Sequence, residues 1–148
     1  MGFGMGAAMG AAFGTGKRSV LITGDGSFGM SLQELATAVT YQIPMVILIF
    51  NNGVLGMVRQ WQTLFFDKHY SGTVLDRKTD FAALAKAFGA WGERVDSLEA
   101  LDGALTRAFS ARGPYVVDCM ISSEEWVLPM LPPGGSMDDL IMKVEGKI

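Results

Sequence analysis

Two apolar runs in the first half of the chain have strand character, Val20-Leu21-Ile22, followed by Thr23-Gly24, and Met45-Val46-Ile47-Leu48-Ile49-Phe50, stopped by Asn51-Asn52. Runs of this length without alternation fit strands buried on both faces. Between them Leu32, Leu35, Ala36 and Val39 recur at helical spacing. That helix must end near Gln42, because the residue before Pro44 is disfavoured in the α region. The second half continues the alternation: a helix over 55–64 with Met57 and Trp61 four apart on one side, a loop over 66–78, and a helix capped by Asp80 and running through Phe88. A short strand over 91–95, a helix capped by Ser97 and running to Ser110, and a last strand over 115–121 complete it. Ahead of all these, Met1 to Gly16 is rich in Gly and Ala and reads as a helix stopped at Gly14-Thr15-Gly16.

Apolar strands alternating with helices describe an α/β fold, a parallel sheet with helices on both faces, here as one domain over 1–148 with a Pro/Gly-rich tail at 127–148. A composition of 49% hydrophobic and only 18% charged residues is apolar for a free-standing domain, so part of the surface is expected to meet another domain or subunit. The net charge of −3 leaves no electrostatic footprint for nucleic acid. The first 16 residues lack a basic leader region and are too short to span a bilayer, so neither a signal peptide nor a membrane segment is expected. Cys119, the single cysteine, lies in a core-strand pattern and cannot form an internal disulfide, which fits a cytoplasmic compartment.

Ligands of parallel sheets sit at the carboxyl ends of strands, where both glycine-and-asparagine turns fall. Gly24-Asp25-Gly26-Ser27-Phe28-Gly29 satisfies the G-x-G-x-x-G pattern of dinucleotide sites, but two features oppose that reading. Such a site wants an acid at the end of the next strand to hold a ribose, and that strand ends in Phe50-Asn51-Asn52, with no acidic residue between Glu34 and Asp67. Moreover, Asp25 lies where a bare pyrophosphate would sit, and the two anions would repel. A cation between them removes the conflict. Mg2+ suits the role, since it takes oxygen ligands from one or two carboxylates together with phosphates. Asn52 could add an amide oxygen, while the amides of a helix beginning near Ser27 face the phosphates.

A G-D-G turn followed by N-N after 24 intervening residues resembles the thiamine-diphosphate-binding motif. The resemblance implies that Asp25 and Asn52 supply side-chain ligands to Mg2+, that Val54 supplies a backbone carbonyl, and that Gly24, Gly26 and Ser27 lie against the diphosphate. It narrows at Gly56-Met57-Val58-Arg59-Gln60-Trp61-Gln62 and at Val127-Leu128-Pro129-Met130-Leu131-Pro132-Pro133-Gly134, which are similar to the acetolactate synthase large subunit. By that likeness Leu55, Gly56 and Met57 belong to the cofactor pocket, and Trp61 faces the substrate channel and helps select the second 2-oxo acid. Met1, in a segment resembling the family's M-G-x-G, would lie beneath the cofactor. The implied chemistry is decarboxylation of pyruvate and addition of the two-carbon unit to another 2-oxo acid, in branched-chain amino-acid biosynthesis.

The same resemblance implies that the family's catalytic glutamate lies in an N-terminal domain and FAD in a middle domain, neither matched here. No catalytic residue is therefore expected in this chain, and alone it is expected to be inactive. It also implies a homodimer or tetramer and a possible regulatory subunit. Other readings stay open: another thiamine-diphosphate carboligase or decarboxylase, such as glyoxylate carboligase or pyruvate oxidase, or a non-catalytic binding module. Simpler readings exist for single residues too. Asp25-Gly26 and Asn52-Gly53 are ordinary turn dipeptides, Met57 and Trp61 would suit a core, His69 reads as a solvated loop residue, and Glu124-Glu125 as a solvated pair.

Overall fold

Strands β1 (Ser19–Gly24), β2 (Met45–Asn51), β3 (Trp91–Val95) and β4 (Pro114–Met120) run parallel in the order β1-β2-β4-β3. The computed structural model describes residues 1–76 and 78–144. α1 (Phe3–Thr15) precedes β1, and parallel strands need crossovers, which helices supply: α2 (Asp25–Phe28), α3 (Leu35–Thr40), α4 (Gly56–Phe65), α5 (Phe81–Phe88) and α6 (Leu98–Ser110).

Because strand side chains alternate between faces, β2 divides itself between two cores. Met45, Ile47 and Ile49 point to one face, where they meet Met5 and Met9 of α1, Phe28 of α2, Leu35 of α3 and Phe81 of α5. Val46 points to the other and packs with Val95, Val117, Cys119 and the Ala104 and Ala108 stripe of α6. Cys119 is thus a core residue, and burial pushes its thiol above the usual range. Coverage of the second face is uneven. Its β1–β2 half leaves Val20, Ile22 and Phe50 exposed, which locates much of the apolar excess anticipated from composition.

Asp80 caps α5 by accepting the Ala83 N–H at 2.9 Å, and that bond holds its carboxyl below the usual range. Ser97 caps α6 through the Ala100 N–H. Gly16 closes α1 in the left-handed conformation at φ 66°, the backbone its position requires.

Three expectations need correction. The helix after α2 opens with a 3₁₀ turn at Leu32–Glu34, and its buried positions are Leu35 and Ala38, three apart, with Ala36 exposed. The residues Gly24-Asp25-Gly26 are not a free turn: β1 runs through Gly24, and the one-turn α2 starts at Asp25 rather than near Ser27. Glu124 is not simply solvated, for it pairs with Arg59 at 2.8 Å. Of the tail over 127–148, residues 145–148 lie outside the described part. The remainder is an extended strap folded back on itself, with Met130 and Ile141 paired antiparallel.

Arg18, just before β1, closes the far end of the sheet by donating to the carbonyls of Ala108 (3.1 Å), Phe109 and Ala111 (2.6 Å). These belong to the last turn of α6 and the residue after it, where carbonyls lack helical partners and the dipole favours a cation. Arg18→Ala should lower stability by about 1–2 kcal/mol, read as a lower urea midpoint with unchanged slope. An unchanged midpoint would mean water caps the helix equally well.

Candidate functional site

The end of β1 lies directly beside the end of β2, with Gly24 opposite Phe50, so the chain leaves two neighbouring strands into two adjoining loops. Asp25 begins the first loop and is buried, at 3% exposure. Gly26 is also buried, and a Cβ built there would meet the Leu55 side chain at 3.1 Å and the Met1 terminal methyl at 3.5 Å. The two loops therefore touch across Gly26, with Met1 over the same spot. Ser27 accepts a hydrogen bond from the Gly2 N–H at 3.0 Å, which ties the amino-terminal segment to α2 and leaves the hydroxyl proton able to donate elsewhere.

The second loop is held on both sides. The Asn52 side-chain oxygen accepts the Val54 N–H at 3.1 Å, an Asx turn that fixes the amide and leaves that oxygen a further lone pair. Gly53 turns at φ 69°. Val54 bridges Val74, the Leu55 N–H donates to Thr73 (2.8 Å), and the Leu75 N–H donates to Gly53 (2.9 Å). A Cβ at Gly56 would stand 2.9 Å from the Asn52 amide nitrogen, so glycine is what lets α4 begin this close to Asn52. Among the described residues no group of three or more His, Cys, Asp or Glu side chains could hold a metal ion. Any ion here would depend on one carboxylate, an amide oxygen, a carbonyl and the ligand's own oxygens.

Met57 and Trp61 lie on one side of α4, as the spacing predicted, but neither is core. Both are more than 40% exposed and line a cavity of about 770 Å3 with Val58, Phe65 and Phe66. His69 stands exposed at its rim. An adjoining side of α4 is fastened to the strap: Gln60, buried, accepts the Val127 N–H (2.8 Å) and donates to the Val127 carbonyl (3.1 Å). Arg59 beside it pairs with Glu124 and lies 4.1 Å over the Tyr70 ring.

The structure thus brings Met1, Gly24, Asp25, Gly26, Ser27 and the loop Asn52 to Met57 to one end of the sheet, with Trp61 one helical turn further along α4. Sequence reasoning missed Asn51, whose amide donates to the wholly buried Asp118 at 2.9 Å, and Arg94, which donates to the other Asp118 oxygen at 2.9 Å. The signal was present: an aspartate inside the apolar run 115–121 must be paired if it is buried.

A parallel α/β sheet with a Gly-Asp-Gly loop and an Asn-Asn-Gly loop converging at the carboxyl ends of neighbouring strands has the layout of a ligand-binding α/β domain. Residues 1–119 match the family described as thiamine pyrophosphate enzyme, C-terminal TPP binding domain, and the chain belongs to it. It is 42% identical over 145 residues to the acetolactate synthase isozyme 2 large subunit of Escherichia coli, covering 97% of this chain and 26% of that protein. It is 42% identical over 151 residues to the probable acetolactate synthase large subunit of Methanocaldococcus jannaschii, covering 100% and 25%. A thiamine diphosphate-dependent 4-hydroxybenzoylformate decarboxylase from Rhodococcus jostii superposes with a TM-score of 0.77 at 30% identity, covering 82% of this chain and 23% of that one. The chain spans about a quarter of the length of these relatives. No helix among the described residues is long and apolar enough to cross a membrane.

Proposed function

We propose that this domain holds the diphosphate of thiamine diphosphate through Mg2+, with Asp25, Asn52 and the Val54 carbonyl as the ligands it contributes. The observation that carries the reading is the contact of the two loops across Gly26, with buried Asp25 in one and the fixed Asn52 amide in the other. Hard oxygen donors of this kind suit Mg2+, which completes its shell with phosphate oxygens and water. Gly26 and Gly56 let the two loops approach this closely, since a Cβ at either would press on Leu55 or on the Asn52 amide. Bound, the cofactor supplies the electron sink for cleaving a 2-oxo acid beside its carboxylate. This chain's residues bind and orient it, and the α4 cavity, apolar and bordered by Trp61, shapes the space beyond.

The finer reading places the domain in an acetolactate-synthase-like enzyme that condenses pyruvate with a second 2-oxo acid. FAD and the catalytic glutamate would be carried by other domains of that enzyme, which would be a cytoplasmic homodimer or tetramer with a possible regulatory subunit. The 42% identities to acetolactate synthase large subunits support it over other carboligases.

Calorimetric titration of the chain with thiamine diphosphate, with and without Mg2+, tests the binding proposal. Metal-dependent binding is the expected result; a folded chain with no binding under either condition would overturn it. In the longer enzyme, Trp61→Leu should change the ratio of products formed from competing 2-oxo acids by roughly ten-fold, the scale of discrimination by pocket shape. An unchanged ratio would confine Trp61 to a packing role.

A further inference from the structure

We propose that Asp118 is a positioning residue for the metal site, acting through Asn51 on the loop that presents Asn52 and Val54. The inference rests on the diphosphate-site reading above and adds to it a part of the sheet far from the G-D-G turn in sequence.

Asn51 is the last residue of β2, and it is anchored twice. Its carbonyl accepts the Ile121 N–H at 3.0 Å, and its side-chain NH2 donates to Asp118 at 2.9 Å. Asp118 sits at 0% exposure in β4, with Ile49 and Arg94 as its partners across the sheet. A carboxylate only accepts, so it fixes which way the Asn51 amide faces: NH2 towards β4, oxygen away. Its second oxygen takes the Arg94 Nε at 2.9 Å, and Arg94 reaches on to Asp80 at 3.8 Å, the cap of α5. Asn51, Asp118, Arg94 and Asp80 therefore form one polar line from β2 through β4 and β3 to α5.

A wholly buried carboxylate is expensive unless both oxygens are met, and an apolar residue would fill the same place in a strand core at lower cost. What an apolar residue could not do is clamp the end of β2. The next residue is Asn52, whose oxygen already serves the Val54 N–H, so the Asx turn starts from a backbone that Asp118 holds still. Partners one step removed from metal ligands act in this way, and their loss commonly lowers metal affinity by about 10–100-fold.

The test uses the whole chain. The Mg2+ concentration that half-saturates thiamine diphosphate binding is measured by calorimetry for the native chain, Asp118→Asn and Asn51→Ala, with urea melts alongside. Asp118→Asn keeps the shape but leaves one oxygen where two are needed. About ten-fold more Mg2+ is expected for each variant. Arg18→Ala, which loosens the opposite end of the sheet, should lower stability without altering the metal requirement, separating positioning from general weakening. An unchanged requirement in a folded Asp118→Asn would overturn the proposal. Should that variant not fold, Asn51→Ala decides, since it removes the same bond from the other side, and a requirement within error of the native value there would again overturn the proposal.

If the native chain shows no metal-dependent binding, the diphosphate reading fails, and positioning is still decided by NMR of the side-chain amides. Asp118→Asn should then shift the Asn52 NH2 signals as well as those of Asn51. An Asn52 signal that stays in place would sink the positioning role.

Discussion

Asp25→Ala should abolish Mg2+-dependent retention of thiamine diphosphate, raising the half-saturating cofactor concentration by at least about a hundred-fold. Asp25 is the only carboxylate among the proposed ligands and is almost wholly buried. Without it the ion would face an amide, a carbonyl and phosphate oxygens, and removing one partner of a buried charge pair costs about 3–5 kcal/mol. At 1.4 kcal/mol per decade this is two to more than three decades of affinity. Asp25→Asn, of equal size, separates charge from shape: it should lose nearly as much if the carboxylate meets a cation. Titration with Mg2+ present reads both variants. Normal affinity in either would remove Asp25 from the metal site.

The second large effect is on stability. Phe81→Ala should cost about 3–5 kcal/mol, the usual price of emptying an aromatic site in a core. Phe81 is the first residue of α5, 2% exposed, and meets the Phe28 ring edge-on with centroids 5.6 Å apart. Phe28 is the last residue of α2, three positions beyond Asp25, so the cavity would open beneath the helix that carries the proposed ligand. A urea melt should show the midpoint falling sharply, and thiamine diphosphate with Mg2+ should restore part of the loss by mass action. A loss under about 1 kcal/mol would show that the two helices can close over the gap.

Much of this architecture was legible in advance. The apolar runs at 45–50 and 115–121, the latter interrupted only by Asp118, gave the central strands, and the caps at Asp80 and Ser97 gave two helix starts, because each depends on local chemistry. The proposed site was legible for a similar reason: glycine and asparagine turns at strand ends, at a specific separation, form a pattern within short stretches of chain. What escaped notice depends on contacts between distant segments. Nothing near Glu124 announces Arg59, 65 residues earlier, and nothing near Asn51 announces Asp118. The phase of the helix after α2 escaped because a 3₁₀ turn precedes it, leaving Ala38 buried and Ala36 exposed.

The two halves of the site are attached to the molecule by different physics. α2 is rooted in the apolar core through Phe28, whereas the one buried residue of α4 is Gln60, held by hydrogen bonds to Val127 and Met130 of the strap with the Arg59–Glu124 pair beside it. Hydrogen bonds of that kind contribute only about 0.5–1.5 kcal/mol each, far less than a buried aromatic ring. Helix α4 and the strap therefore form a low-energy opening unit, able to lift together while the sheet and Asp25 stay folded. Amide exchange in α4 should accordingly run ahead of exchange in β2, and the wall bearing Trp61 can breathe without loosening the floor that carries Asp25.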